Sequence, residues 1–279
     1  MSIAGGLHLA FERAAEVGCD CLQIFVKNQR QWRAPELTDD QLAAWHEAKN
    51  ASPIAPVVAH ATYLINLANP DDDAWHKSMN AFAEELLRCG RLEIGGLVVH
   101  PGSHLGEGES AGLKRVADAL DIIHEHIGPL AVKTVLETTA GQGTNLGHRF
   151  EHLSEIIDRV REPQRLAVCV DTCHVFAAGY DLQTAQGYEQ TIAQLDTAVG
   201  LDRVVVFHLN DSLKPQSSRR DRHAAIGKGE IGRDAFKHLI NDSRFFNRPM
   251  ILETPKGKNE RNQDLDRVNL ATLRQMIAK

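Results

Sequence analysis

Side chains that can bind metal ions follow the ends of six successive apolar segments of this 279-residue chain. Histidine, aspartate and glutamate are each costly to bury unless they are paired or bound to a metal. One such residue alone is more often structural, but six in series indicate a shared site. The six are His60, His100, Glu137, Asp171, His208 and Glu253.

Three further candidates lie close to these segment ends. His174 follows Asp171 by three residues, and Asp221 and His223 lie in the loop after the HLND segment. The nine residues offer only nitrogen and oxygen donors, which suit Zn²⁺, Mn²⁺ or Fe²⁺, and the high share of histidine favours zinc. Since a catalytic zinc takes about three protein ligands, nine ligands indicate more than two metals. A carboxylate such as Glu137 or Glu253 can bridge a pair.

The cysteines are not needed for this set. The chain has five, an odd number that does not suggest a disulfide framework, so reduced thiols are expected. The stretch VCVDTCH places Cys173 beside His174, which suggests a Cys–His zinc pair when taken alone. Because the ligand set is complete without it, Cys173 is predicted to be a bystander.

The elements that must position these residues repeat along the chain. Amphipathic stretches of helical length, such as 72–90, 109–127 and 187–200, separate most of the short apolar segments, and this alternation favours a parallel sheet covered on both faces. About seven such units predict a single (β/α)8-type TIM barrel over residues 1–279, in which chemistry lies at the carboxyl ends of the strands. The alternative is a doubly wound fold, but no Gly-rich phosphate loop follows the first segment. The predicted strands are 21–26, 55–59, 96–99, 132–136, 165–170, 203–207 and 248–252.

Composition limits the partners. No window approaches the roughly 18 apolar residues of a membrane span, and the N-terminus does not have the pattern of a signal peptide, so no membrane partner and a cytoplasmic location are expected. The net charge of −6 argues against nucleic-acid binding through a generally basic surface. Three divalent cations would outweigh four carboxylates at the barrel mouth. Such a pocket favours an anion, for example a phosphodiester.

With these residues in place, the chain closely resembles the endonuclease IV family, the zinc-dependent apurinic/apyrimidinic endonucleases of base-excision repair. The resemblance extends over nearly the whole chain, in the family's order. It is carried by KNQRQW (27–32), HATYLINLANP (60–70), HPGSH (100–104), ETTAGQGTNLG (137–147), DTCHVFAAGYD (171–181), HLNDS (208–212), DRHAAIGKGEIG (221–232) and ILETP (251–255).

The resemblance implies a TIM barrel with three zinc ions per chain. The implied ligands are His60, His100 and Glu137 for the first, Glu137, Asp171, His208 and Glu253 for the second, and His174, Asp221 and His223 for the third. The implied reaction is hydrolysis of the phosphodiester 5′ to an abasic site in double-stranded DNA. It leaves a 3′-hydroxyl and a 5′-deoxyribose phosphate, and blocked 3′ ends are also cleared. Glu137 is the implied catalytic residue, which orients the attacking hydroxide.

The same resemblance implies that Arg30 and Tyr63 bind DNA by entering it at the lesion. A guanidinium and an aromatic ring can fill the space that a missing base leaves. Without the family match, Arg30 would be interpreted as a solvated loop charge and Tyr63 as a core aromatic. Nothing in the sequence indicates an oligomer, so a monomer is expected.

One departure from the family pattern concerns the N-terminus. The family's GxHxS-type first strand, which precedes AGG, is essentially absent from a chain that opens MSIAGG, so the first strand is predicted to be missing or truncated. The two explanations left open are a start codon assigned too far downstream and a truncated protein. Two other functions stay open: a metal-dependent sugar isomerase or epimerase, whose barrels also gather His, Asp and Glu, and an inactive relative that only binds damaged DNA. The sequence leaves open zinc against manganese or iron, and the preferred lesion.

Overall fold

Seven parallel strands alternate with helices in the computed structural model, which describes residues 1–278. The contacts of the chain group these residues into two compact units. The first comprises residues 1–136 and 155–167, and the second comprises residues 137–154 and those from 168 onward. The prediction that the chain forms a single domain stays a prediction.

The first unit contains the amino-terminal half of the strands, in chain order and parallel. Phe25 lies opposite His60, and Val99 lies opposite Leu136. Its strands are β1 (Leu22–Phe25), β2 (Val57–His60), β3 (Gly96–Val99) and β4 (Lys133–Glu137), the last residue of which begins the second unit. Its helices are α1 (Leu9–Val17), α2 (Asp39–Ala51), α3 (Asp72–Arg91) and α4 (Glu109–Ile127).

Local sequence explains where the helices of this unit begin. Thr38 and Gln41 form a reciprocal capping box at the start of α2. Asp71 caps α3 by accepting a hydrogen bond from the Ala74 amide at 2.8 Å. The buried side chains of α3 recur with helical spacing and include Phe82 and Leu86, so that this long helix packs one apolar face into the unit.

The second unit repeats the pattern. Thr138, just beyond β4, donates to the Cys169 carbonyl of β5, and Asp171 of β5 lies opposite His208 of β6. Its parallel strands are β5 (Leu166–Asp171), the first two residues of which belong to the first unit, β6 (Val204–His208) and β9 (Met250–Ile251). In addition, β7 (Asp211–Ser212) pairs antiparallel with β8 (His223–Ala224). Its helices are α6 (Thr172–Ala178), α7 (Ala185–Val199), α8 (Arg233–Ile240) and α9 (Leu265–Arg274), while α5 (Phe150–Arg159) runs from this unit into the first. The 3-10 helices are Pro163–Arg165, Leu201–Arg203 and Ser243–Phe245.

All seven predicted strands are present, each within about two residues of its expected limits. Within each unit neighbouring strands follow the chain order, as in a (β/α) barrel, whereas a doubly wound sheet reverses its order. Across residues 1–278, the first parallel strand comes after α1. None of the helices in this range is long and apolar enough to cross a membrane.

Trp45 of α2 is a core anchor of the first unit. Its side chain is fully buried, packs on Phe11 with ring centroids 4.9 Å apart, and donates Nε1–H to the Leu92 carbonyl at 2.9 Å.

We expect Trp45→Ala to lower the free energy of unfolding by about 3–5 kcal/mol, measured by urea denaturation. The control Glu47→Ala, exposed on the same helix, should change it by less than about 0.5 kcal/mol. Equal effects of the two substitutions would contradict this account of the core.

Candidate metal centre

Three strand ends in the second unit bring acidic and imidazole groups together. Glu137, Asp171 and His208 are the last residues of β4, β5 and β6, and their side chains have no exposed surface. Nδ1 of His208 lies 2.8 Å from Glu137 Oε1 and 3.3 Å from Oε2 of Glu253, which follows β9. Parallel strands end at the same edge of a sheet, and this geometry is what makes residues distant in sequence neighbours here.

A second group of side chains adjoins Asp171. Asp171 caps α6 by accepting a hydrogen bond from the His174 amide at 2.9 Å. His174 therefore lies in the first turn of the helix that follows the strand end. Nε2 of His174 lies 3.2 Å from Asp221 Oδ2, and Nε2 of His223 lies 3.2 Å from Asp221 Oδ1. One ligand atom each from Asp171, His174 and His223 lie within 4.8 Å of one another. The four residues therefore have the spacing of a metal-binding group.

The electrostatics of this group favour positive charge. Burial by itself lowers the pKa of His174, but Asp171, Asp221 and Glu137 raise it to about 10. Burial likewise opposes the shift at His223, where Asp171 and Asp221 raise the pKa to about 9. The Asp221 carboxyl loses hydration, yet the neighbouring imidazoles of His174 and His223 hold its pKa well below the usual range. The carboxylates thus create a field that stabilises a cation.

Hydrogen bonds orient three of the histidines so that Nε2 is the atom available to a metal. Nδ1 of His174 lies 2.8 Å from the Thr138 carbonyl, Nδ1 of His223 lies 3.2 Å from the Glu253 carbonyl, and Nδ1 of His60 lies 2.7 Å from the Ala61 carbonyl. A carbonyl oxygen only accepts, so Nδ1 carries the hydrogen in each case. Metal-binding histidines commonly donate their other ring N–H to such a group.

The donor set fits divalent cations. Nε2 of His223 is buried without a hydrogen-bond partner although it faces the carboxylates of Asp221 and Asp171, the latter at 3.7 Å. A buried polar atom without a partner is costly unless something else binds it. Nitrogen and carboxylate oxygen donors at these separations are those of zinc and similar ions.

Asn210 supports the centre, although the sequence pattern alone assigned it no role. Its Nδ2 donates to Asp171 Oδ2 at 2.6 Å, and its Oδ1 accepts the Glu253 amide at 2.8 Å. One fully buried amide therefore orients one candidate ligand and fixes the backbone of another. Its place in the HLND motif, two residues after His208, is the signal that could have indicated it.

Asp211 holds the loop that carries Asp221 and His223. Its buried carboxylate accepts backbone N–H groups from Gly229 and Ile231, each at 3.0 Å. Gly229 has no room for a side chain, because a Cβ there would lie 2.3 Å from the Ser212 carbonyl oxygen. Asp211 is thus a structural partner of the loop.

The two buried cysteines of this region lie close to candidate ligands. Cys173 groups with Asp221 and His223, and Cys169 groups with Glu137 and His208. Burial raises the pKa of the Cys169 thiol to about 12 and that of Cys173 still further. The prediction that Cys173 is a bystander stays a prediction.

In the first unit the structure brings the remaining two predicted ligands together. The rings of His60 and His100 lie 5.6 Å apart, and the Tyr63 ring lies 5.2 Å from the first and 6.0 Å from the second. Tyr63 is nevertheless 58% exposed, so it is not the core aromatic of the alternative interpretation. Arg30 is exposed in the loop after β1.

Comparisons with known proteins agree with this fold. Residues 11–275 match the model of the AP endonuclease 2 family, described as a xylose isomerase-like TIM barrel. A probable endonuclease 4 of Chloroflexus aggregans is 52% identical over 99% of this chain and 96% of its own length. Endonuclease IV from Thermus thermophilus superposes with a TM-score of 0.87, at 36% identity, over 99% of this chain and 96% of that one. A D-tagatose 3-epimerase-like protein, at 20% identity, 98% and 94% coverage and a TM-score of 0.69, shares the fold.

The fold and the acid–imidazole cluster define a metal-binding TIM-barrel enzyme. The chain belongs to the endonuclease IV family. The TIM-barrel prediction and the prediction of an enzyme of the nuclease class are both confirmed.

Asn210 can be tested against Cys173, another buried residue of the second unit. We expect Asn210→Ala to weaken metal binding about 10- to 100-fold, because the Asp171 carboxylate and the Glu253 backbone lose their shared partner. Metal content after dialysis against graded chelator, measured by plasma mass spectrometry, gives the result. The control Cys173→Ser should retain the wild-type metal content. The reverse order, with loss only in the cysteine variant, would refute both assignments.

Proposed function

We propose that this protein hydrolyses the phosphodiester bond 5′ to abasic sites in duplex DNA, leaving a 3′-hydroxyl and a 5′-deoxyribose phosphate, and that it also clears blocked 3′ ends. The observation that carries the proposal is the cluster of Glu137, Asp171, His174, His208, Asp221, His223 and Glu253 in the second unit. Membership of the endonuclease IV family supports the same activity.

The proposal assigns three zinc ions to nine residues. His60 and His100 would bind one zinc together with Glu137, which would bridge to a second zinc held by Asp171, His208 and Glu253. His174, Asp221 and His223 would bind the third. Within the first unit, the neighbouring rings of His60 and His100, 5.6 Å apart, support their assignment to one zinc. When bound, the metals would polarise the phosphodiester and stabilise the charge on the departing oxygen.

Glu137 is proposed as the residue that orients the attacking water. Its carboxylate is fully buried and is itself fixed by His208 Nδ1 at 2.8 Å. A carboxylate held in this way can accept a hydrogen bond from water and direct the oxygen lone pair toward phosphorus. Restricting its rotation places that water in one orientation.

Charge does not conflict with a DNA substrate. The chain is acidic overall, with a net charge of −6, but three divalent ions bound at the cluster would outweigh its four carboxylates. Binding would then depend on a local positive field at the site more than on a basic surface. We further propose that the protein acts as a cytoplasmic monomer.

Arg30 and Tyr63 are proposed to contact the DNA at the lesion. Both side chains are exposed, although each lies next to well-packed structure. Tyr63 packs against Phe25 at 5.6 Å as well as against the two histidines. A ring that packs on one side and is exposed on the other can insert beside a missing base without first becoming ordered.

A single assay tests the activity. Zinc-loaded protein is incubated with a duplex that carries one abasic site, and the products are resolved on a sequencing gel. We expect incision 5′ to the lesion, loss of incision with chelator, recovery with added zinc, and about three zinc ions per chain. One manganese ion per chain without incision would indicate an isomerase-like enzyme. Binding of the duplex without incision by the fully loaded protein would indicate an inactive relative.

Substitution of Tyr63 distinguishes DNA recognition from metal binding. We expect Tyr63→Ala to weaken binding to abasic duplex at least about tenfold, measured by fluorescence anisotropy, while the zinc content stays at the wild-type value. Tyr63→Phe is the matched control, because it keeps the ring against His60 and His100 and should bind almost normally. Loss of zinc from the alanine variant would count against a recognition role.

A further inference from the structure

Two buried ionisable side chains lie at the base of the segments that carry Arg30 and Tyr63. Nζ of Lys27 is 3.3 Å from Oε1 of Glu85 on α3, and neither side chain has exposed surface. Lysine and glutamate are seldom buried completely, and they are buried only when paired. The hydrogen bonds around each partner show which backbone segments this pair connects.

Lys27 closes the segment that carries Arg30. Its ammonium also donates to the Trp32 carbonyl at 2.8 Å, so the residues between them form a loop joined at both ends. Inside the loop, Asn28 accepts the Arg30 amide on its side chain and the Gln31 amide on its carbonyl, each at 3.0 Å. Arg30 therefore projects from a short turn whose base is fixed by Lys27.

Glu85 reaches the other segment. Its Oε2 accepts the Thr62 amide at 3.2 Å, and the next residue is Tyr63. The carboxylate therefore contacts the ammonium that closes one loop and the backbone that begins the other. A single side chain thus joins the two segments.

Helix α3 reinforces the first segment from its next turn. Arg88 donates from Nε to the Val26 carbonyl at 3.0 Å and from Nη1 to the Pro35 carbonyl at 2.8 Å. Glu85 and Arg88 are three residues apart and so lie on one face of the helix. This face of α3 is a common support for both segments.

Stability alone is a weak reason for such a pair. The loss of hydration on burial cancels much of the attraction between two charges, and an apolar pair of similar volume is often as stable. An ion pair adds a directional constraint, because each charged group requires its partner at a particular distance and orientation.

We propose that Lys27 and Glu85 are positioning residues that hold the Arg30 segment and the Tyr63 segment in one fixed relation, so that both side chains enter damaged DNA together. This proposal rests on the proposed function, in which Arg30 and Tyr63 contact the lesion. Neither Lys27 nor Glu85 touches the DNA or the reacting phosphate.

The test uses Lys27→Met, Glu85→Leu and the double variant, all in the full-length zinc-loaded protein. The matched control is Lys114→Met with Asp118→Leu, which removes an exposed ion pair of 2.6 Å on α4. Each variant is assayed for incision of an abasic duplex, for hydrolysis of bis(p-nitrophenyl) phosphate, for zinc content and for thermal stability. The small phosphodiester reports on the metal centre without the recognition segments.

We expect the single variants to raise KM for the abasic duplex at least about tenfold, equivalent to about 1.4 kcal/mol. Because the reacting centre is untouched, kcat, zinc content and hydrolysis of the small phosphodiester should stay within about threefold of wild type. The double variant should be more stable than either single variant, because no lone buried charge is left, yet its KM should stay high. The α4 control should resemble wild type in all four measurements.

Three results would overturn the proposal. One is an unchanged KM in both single variants, and another is a double variant that regains normal KM together with stability, since stability alone would then explain the effect. The third comes from amide hydrogen exchange of residues 28–33 and 61–66 without DNA, which should be faster in all three variants; wild-type exchange would refute the positioning role. Hydrogen exchange does not depend on the substrate, so failure of wild-type protein to incise DNA would refute the proposed function separately.

Discussion

The structure of the second unit depends on the confinement of several carboxylates and imidazoles to one small volume. Glu137, Asp171 and His208 are wholly buried at the ends of neighbouring strands, where the loss of hydration is severe. Their mutual contacts offset part of this cost, as does the contact of 2.8 Å between His208 and Glu137. Nε2 of His223 lies 3.2 Å from Asp221 but makes no hydrogen bond, which shows that the protein atoms alone do not offset all of this cost. Divalent cations, as proposed above, would complete such a set.

Uncharged neighbours determine how precisely the charged groups are placed. Asn210 joins Asp171 to the backbone at Glu253, and the Thr138 hydroxyl accepts the Asp171 amide at 2.9 Å. Asp211 is charged but serves the same purpose, because it binds loop amides and lies outside the candidate ligand set. Rigid support of this kind limits the reorganisation that metal binding or catalysis requires.

Much of the fold and of the candidate site was predictable because both depend on local patterns. Helix α4 has the limits that its amphipathic pattern predicts, residues 109–127, and all seven apolar segments form strands. The contacts of Glu85 were not predictable, because a glutamate within an amphipathic helix ordinarily suggests an exposed residue. Its burial follows from packing against Lys27 and Thr62, which are distant in the sequence.

The sequence by itself determined the elements, their parallel arrangement, the family and the residue types at each strand end. These follow from periodicity and from motifs that extend along nearly the whole chain. Only the tertiary structure decided which atoms face one another: that Nδ1 of His174 points to a carbonyl and Nε2 to Asp221, and that Asn210 serves two candidate ligands. The physical reason is that hydrogen-bond direction and burial depend on the packing of segments remote in sequence, which no local pattern encodes.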